Sequence, residues 1–130
     1  MQRFEWKGVA VNRDMDLVRQ ILLHVEGDPN LDGTHWMPFN KASDFPDHTL
    51  KEIQYHADLL IESGMLNGNA GGDVPMVSRL TWDGHEFLDS IRSPEIWEQV
   101  KERLSGLGTV SLALVWELAK AEIRKKLKLT

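Results

Sequence analysis

The residues whose chemistry suits catalysis or metal binding do not occur at the spacing that such sites require. Within residues 83–89, His85 and Asp89 stand four positions apart and would share one face of a helix. A zinc-protease helix needs a second histidine at the position of Asp89 and a third ligand elsewhere in the chain. We interpret this segment as the start of a helix, where Asp83 is favoured by the helix dipole.

The other histidines and the glycine-rich loop give no stronger signal of a catalytic site. His48 and His56 are eight residues apart, about two helical turns, which is too far for one helix to chelate a metal ion through both. The loop at 68–73 precedes a predicted strand and lacks the Lys-Ser/Thr pair of a phosphate-binding loop. The sequence contains no cysteine. We predict that the protein is not an enzyme and that it has no metal site and no cofactor.

Charge is distributed unevenly along the 130-residue chain, whose formal charge is −5. Residues 114–130 carry five Lys and Arg against two Glu, so that an acidic body ends in a basic segment. Generic DNA binding needs clustered Lys and Arg, which the acidic body does not offer.

The sequence has neither the apolar length of a membrane span nor the apolar core of a signal peptide. We therefore expect a cytoplasmic protein without a membrane partner.

Apolar residues recur at helical spacing in five segments, most of which follow a capping residue. The predicted helices span about 14–26, 47–63, 94–105 and 111–127, with a further helix beginning after Thr81. We expect Leu50, Ile53 and Leu60 to form the buried face of the second helix. Three of the five tryptophans, Trp82, Trp97 and Trp116, stand beside apolar helical positions, which predicts that they lie in the core or an interface.

Two short apolar runs around the turn at 67–73 predict a β-hairpin. Residues 35–39 predict a short edge strand, because Pro38 cannot donate to a central ladder. Gly64 is expected to adopt a left-handed conformation and to lead the second helix directly into the hairpin. A helix backed by a hairpin is typical of a winged helix. The predicted fold is therefore mainly α with a small β-hairpin: a winged-helix-like domain followed by C-terminal helices.

Several blocks of sequence, in this order, carry a family resemblance. They are Arg13-Asp14-Met15-Asp16-Leu17-Val18-Arg19, Tyr55-His56-x-x-Leu59-Leu60-x-x-x-Gly64-x-Leu66, and Arg79-Leu80-Thr81-Trp82-x-Gly84-His85-Glu86-Phe87-Leu88-Asp89-x-Ile91-Arg92, followed by Trp97. The set resembles a family of unknown function in bacteria, phages and prophages that is described as winged-helix-like. The resemblance covers about 12–127. It implies a fold and a mobile-element setting, but no established activity.

The resemblance also suggests how the chain is divided. Members of that family usually begin just before the position of Asn12, so residues 1–11 are predicted to be an N-terminal extension. Val11 would suit a GTG start codon, and an internal start there is an alternative to Met1. We expect a winged-helix-like domain at 12–92 and a helical extension at 93–130 that packs on it.

Two functions from different classes remain open. The first is a phage-type DNA-binding transcriptional regulator that reads double-stranded DNA with helix 47–63, a hypothesis by analogy of fold. The second is a protein-interaction module, an adaptor or inhibitor that binds a host or phage protein. Acids outnumber the single base Lys51 on that helix, and the loop at 27–46 leaves little room for a supporting helix; both points count against DNA binding and motivate the second function. Winged helices are most often nucleic-acid binders, so the DNA-binding regulator stays the first hypothesis and the interaction module the alternative.

The residues predicted to contact DNA or a partner lie on the second helix, at the hairpin base and near the C-terminus. They are Lys51, Gln54, His56, Arg79, Lys120, Arg124 and Lys125. The last helix has an apolar arc wider than one packing surface needs. We expect this surplus to form a homodimer, since closed two-fold dimers are the commonest oligomer.

Overall fold

The computed structural model describes residues 13–108 and 110–128. Within these ranges the chain forms five α-helices and three short strands. They are α1 (Met15–Gly27), β1 (Met37–Pro38), α2 (Leu50–Glu62), β2 (Leu66–Asn69), β3 (Met76–Leu80), α3 (Trp82–Ile91), α4 (Pro94–Leu104) and α5 (Leu112–Lys126). This confirms the predicted mainly α fold with a small β-hairpin. The predicted extension at 1–11 and the alternative start at Val11 lie outside the described residues.

The three strands form one antiparallel sheet with β3 in the middle. On one side Leu66 of β2 pairs with Leu80, and a bulge at Asn67 and Gly68 shifts the register along the hairpin. On the other side Pro38 of β1 pairs with Met76. The edge position predicted for the proline-containing strand is therefore confirmed.

A side-chain oxygen caps the start of each of these five helices by accepting a backbone N–H from the first turn. The capping residues are Asp14, Thr49, Thr81, Ser93 and Ser111. Thr49 and Glu52 form a reciprocal capping box, which starts α2 three residues later than the predicted start at 47. Between β1 and α2 the chain makes a single 3-10 turn, Ala42–Asp44, with no buried residue.

The core lies between α1, α2, α3 and the sheet. Its fully buried members include Leu17, Ile21, Ile53, Leu60 and Phe87. Leu50 was expected in this core with Ile53 and Leu60, but that prediction is wrong, because Leu50 is 37% exposed. It is the first residue of α2 and lies outside the buried stripe that Ile53 and Leu60 share with Ala57.

The three tryptophans predicted to lie in the core or an interface have different environments. Trp97 is buried and donates its indole N–H to Asp16 Oδ1 at 2.7 Å. Trp116 is half-buried and packs edge-on against Phe87, with 5.7 Å between ring centroids. Trp82 is 76% exposed, so a place in the core is wrong for it, and a place in an interface stays a prediction. It follows the Thr81 cap directly, and the buried stripe of α3 starts only at Gly84.

The last helix packs on its own chain, against α3 and α4. Val115 and Ala119 are fully buried, and Val100 of α4 is buried in the same cluster. Leu114 and Leu127 of the same apolar arc remain exposed. The predicted homodimer stays a prediction, and so does the division of the chain at residue 93.

Gly64 ends α2 with a φ of 84°, which confirms the predicted left-handed turn. We expect Gly64→Val to lower the free energy of unfolding by about 1–3 kcal/mol, because a β-branched residue is strained in that region. No atom lies within 4 Å of a Cβ built at Gly64, so backbone strain is the dominant cause. Chemical denaturation measures the effect, with Gly64→Asn as the milder control. Equal midpoints for the wild type and the valine variant would contradict the turn.

Candidate interaction face

An open groove of about 440 Å³ runs between α2 and the β2–β3 hairpin. We call it the α2 groove. Its lining residues are Leu50, Lys51, Gln54, Tyr55, Asp58, Asp73 and Pro75. The groove exists because the amphipathic helix α2 buries the opposite stripe in the core and leaves these side chains outward. Two of the seven predicted contact residues, Lys51 and Gln54, lie in it.

The groove has apolar walls. Leu50 and Tyr55 are 37% and 41% exposed, and Pro75 at the foot of β3 is buried. The Tyr55 ring lies edge-on to His56, with 5.7 Å between ring centroids. Gln54 donates a side-chain N–H to the carbonyl oxygen of Phe39 at 3.3 Å, which ties the helix to the residue after β1. One side of α2 therefore presents apolar surface on a fixed backbone.

Asp58 gives the groove an unusual polar group. Its Oδ1 is buried and has no hydrogen-bond partner among the described residues. Burial, and secondarily the charge of Glu62, raise the pKa of Asp58 above its usual range. Asp58 is not among the residues that the sequence predicts to contact DNA or a partner. An acid among Ala57, Leu59 and Leu60 was the signal that could have drawn attention to it.

His56 does not face the groove. Its predicted place among the outward contact residues is wrong, because it is 1% exposed and belongs to the buried stripe of α2. Its Nε2 accepts the backbone N–H of Asp14 at 2.8 Å, and its Nδ1–H donates to the carbonyl oxygen of Glu52 at 2.7 Å. The imidazole thus joins α2 to the cap of α1, which is a structural role.

We expect His56→Leu to destabilise the fold by about 1–3 kcal/mol, since the buried N–H of Asp14 loses its acceptor. Thermal unfolding compares this variant with His85→Leu, which changes an exposed histidine of α3. The control should shift the melting temperature little. If both variants melt at the wild-type temperature, the hydrogen bond between Asp14 and His56 does not stabilise the fold.

Most polar residues of the sequence blocks that carry the resemblance hold the helices together. Arg19 donates to the carbonyl oxygens of Ile91 and Arg92 at 2.9 and 2.7 Å, which caps the end of α3 from α1. Arg92 binds both carboxylate oxygens of Glu26 at 2.8 and 2.7 Å, and this hydrogen bond lowers the pKa of Glu26. These blocks therefore specify the packing of α1 on α3.

The start of α3 is fixed against the turn that follows α2. The Thr81 hydroxyl donates to the carbonyl oxygen of Gly64, and the Thr81 N–H donates to that of Met65 at 3.1 Å. Gly84 sits so close to this turn that a Cβ built on it would lie 2.0 Å from the Met65 carbonyl oxygen. Only glycine fits at this crossing.

These blocks match a known family. Residues 12–111 match the model of the family described as "Hypothetical protein (DUF2513)". The chain belongs to the DUF2513 family. An uncharacterized protein of Haemophilus influenzae (strain ATCC 51907 / DSM 11121 / KW20 / Rd) is 28% identical over 122 residues, which cover 90% of this chain and 99% of that relative. No solved structure matches the chain. The predicted membership of a family of unknown function is confirmed.

The basic residues predicted as contacts are spread over this DUF2513 protein. Arg79 lies on β3 with its side chain against Gly33, and it donates to the carbonyl oxygen of Leu80 at 2.7 Å. Lys120 pairs with Glu117 at 3.0 Å, one helical turn away on α5. Arg79, Lys120, Arg124 and Lys125 do not line the α2 groove. The structure therefore does not bring the seven predicted residues together on one surface.

The basic end of α5 is partly neutralised within the chain. Glu122 is buried, and Arg103 and Lys125 approach its carboxylate at 2.8 and 3.5 Å. Lys126 pairs with Glu95 at the start of α4. Arg124 and Lys128 form no ion pair within the described part of the chain. These pairs reduce the charge that α5 of the DUF2513 protein could offer to a phosphate backbone.

Two absences hold for the residues that the structure describes. No cluster of three or more His, Asp or Glu is placed to hold a metal ion there. Likewise, no helix within 13–108 or 110–128 combines the length and apolar character that crossing a membrane demands.

Proposed function

We propose that this protein is a protein-interaction module that binds its partner through the α2 groove. The observation that carries the proposal is that exposed Leu50 and Tyr55 line one groove together with Asp58, whose Oδ1 has no hydrogen-bond partner in the part of the chain that the structure describes. Exposed aromatic and apolar side chains in a groove are suited to anchor a partner side chain. Asp58 lines the same groove and adds an acidic group beside these apolar side chains.

Charge supports a protein partner over DNA. Asp58 and Asp73 line the groove with a single base, Lys51. Much of the positive charge of α5 is already paired with Glu95, Glu117 and Glu122. A helix that enters a DNA groove meets phosphates on both sides, so unpaired acids on it oppose binding.

DNA binding is the second candidate, and two observations favour it. The order of α2, the Gly64 turn and a hairpin is that of a winged helix, and Lys51 and Gln54 lie outward on α2 as base-reading or phosphate contacts would. The phage or prophage setting implied by the resemblance fits a regulator. Against it, a three-residue 3-10 turn stands where a supporting helix would precede the recognition helix.

A photo-crosslinking experiment tests the protein-interaction function. Benzoylphenylalanine replaces exposed Lys51 in the full chain, which is irradiated in an extract of its native cells. We expect a protein adduct that Tyr55→Ala abolishes, while Trp82→Ala, which removes an exposed aromatic outside the groove, leaves it intact. The same cross-linker at Glu86 on α3 is the positional control. If Lys51 cross-links to no protein, the proposed function is wrong.

A salt titration tests DNA binding on the same protein. We expect affinity for random duplex no tighter than the non-specific range of about 10⁻⁴–10⁻⁶ M at physiological salt. Selection from a randomised duplex pool should enrich no sequence. A nanomolar duplex whose affinity Lys51→Ala and Gln54→Ala both reduce would instead establish the second candidate.

A further inference from the structure

We propose that the α2 groove is filled by the basic end of α5, residues 124–128, from a second copy of this chain. This inference rests on the proposed function, because it names the partner of the same groove. We identify the occupant because the side chains of the groove and those at the end of α5 are complementary. The groove offers apolar walls beside carboxylates, and the end of α5 offers an apolar side chain between cations.

The end of α5 has the shape and composition of a docking segment. Leu127 is 63% exposed, and Lys126 and Lys128 flank it in sequence. Helical pairing ends at Leu127, and Lys128 has a left-handed φ of 60°. Leu127 can enter a groove while Lys128, which forms no ion pair within the described part of the chain, reaches an acid at the rim.

The groove supplies the complementary groups. Leu50 and Tyr55 are partly exposed and give the groove an apolar surface that a leucine can contact. Asp58 and Asp73 lie along the same groove, and Asp73 is exposed. A lysine ammonium brings three N–H donors to such a site. Opposite charges that face each other across an interface also guide the encounter between the two molecules.

The α5 end of the same chain is held elsewhere. Lys126 pairs with Glu95 at the start of α4, and Lys125 pairs with Glu122 on α5 itself. These contacts fix the end of α5 beside α4, whereas the groove lies between α2 and the hairpin. The segment is therefore presented to another molecule. Because every chain carries one groove and one basic end, a two-fold pair satisfies both contacts in each copy.

Asp58→Asn has an expected effect on stability that is separate from association. The folded pKa of Asp58 is raised, so the native state holds the proton more tightly than the unfolded chain. Wild-type stability should consequently fall as the pH rises through the folded pKa. Asp58→Asn has no ionisable group at this position, so its stability should not fall in this way. In dilute protein the variant should therefore have a higher free energy of unfolding than the wild type at pH 7. This difference should disappear below about pH 3.8, where the aspartate is protonated in the folded and the unfolded chain. Urea unfolding at both pH values measures this difference. A less stable Asn variant at pH 7 would contradict it.

Sedimentation equilibrium of the full chain at micromolar concentration tests the pair. We expect a dimer that dissociates as salt is raised. Lys128→Glu on the tail and Asp73→Lys in the exposed part of the groove should each weaken it at least about tenfold, and combining both in one chain should restore it. Lys120→Glu on α5 and Asp47→Lys before α2 are matched charge reversals outside the contact and should weaken it less than about twofold.

Mixing the single variants sharpens the test. Asp73→Lys keeps a native tail and Lys128→Glu keeps a native groove, so in a mixed heterodimer the native tail meets the native groove and the reversed tail meets the reversed groove. Both contacts are then complementary, and the heterodimer should be tighter than either single variant alone. A monomer mass at the highest soluble concentration overturns the pair, as does failure of the double variant to recover. The proposed function is judged separately by the Lys51 cross-link. An adduct with a different protein supports the interaction function but not the self-associated pair. An adduct with residues 124–128 of a second copy supports the interaction function and the pair.

Discussion

Replacement of Gly84 by alanine is expected to destabilise the fold by about 3 kcal/mol or more, the upper part of the range for overpacking. Gly84 lies in the first turn of α3, where helix propensity alone would predict that alanine stabilises by about 1 kcal/mol. The opposite sign follows from the contact with the preceding turn. The added Cβ would lie 2.0 Å from the carbonyl oxygen and 3.0 Å from the carbonyl carbon of Met65, and both belong to the backbone. This steric clash can be relieved only if α3 moves away from the turn at Gly64 and Met65.

Thermal unfolding of Gly84→Ala beside Gly27→Ala makes this test decisive. Gly27 ends α1, and nothing lies within 4 Å of a Cβ built there. The control should be neutral or slightly more stable, in line with helix propensity. A Gly84→Ala protein as stable as the control would mean that α3 and the turn after α2 are not in contact.

Leu60→Ala should cost about 2–5 kcal/mol, the range for truncating a buried leucine. Leu60 is fully buried in the cluster where α2 meets α1 and the sheet. The loss combines the transfer free energy of the deleted atoms with the cavity they leave, which rigid helix backbones fill only in part.

Leu50→Ala on the same helix is the matched control for Leu60→Ala. Both leucines were expected in the core, and only Leu60 is buried there. We expect the Leu50 variant to unfold within about 0.5 kcal/mol of the wild type in urea, while it weakens binding in the α2 groove. Equal losses of stability for the two variants would contradict the assignment of Leu50 to the groove.

The elements of the fold were predictable because their signals are local. Thr81 and Ser93 mark two helix starts within one residue, and Gly64 marks the turn through its own φ preference. Leu50 and Trp82 were misplaced for the opposite reason. Each stands at the first position of its helix, where apolar periodicity cannot distinguish the core side from the outward side.

The candidate site was predictable only in part, because it depends on contacts between distant residues. Lys51 and Gln54 were found from their position on α2. His56 was misassigned because its acceptor role depends on Asp14, 42 residues earlier in the chain. The cost of burying Asp58 likewise depends on how the hairpin packs beside α2. Nothing in the local sequence reports either contact.

The division between packing residues and groove residues bears on how members of this family could diverge. Arg19, His56 and Gly84 are each tied to a second element by a hydrogen bond or a close approach, so changing one disturbs two parts of the molecule. Lys51 and Tyr55 are outward-facing, and exchanging them costs the fold little. One scaffold can accordingly acquire new specificities by drift at a few groove positions, and an engineer could retarget it by randomising those positions alone.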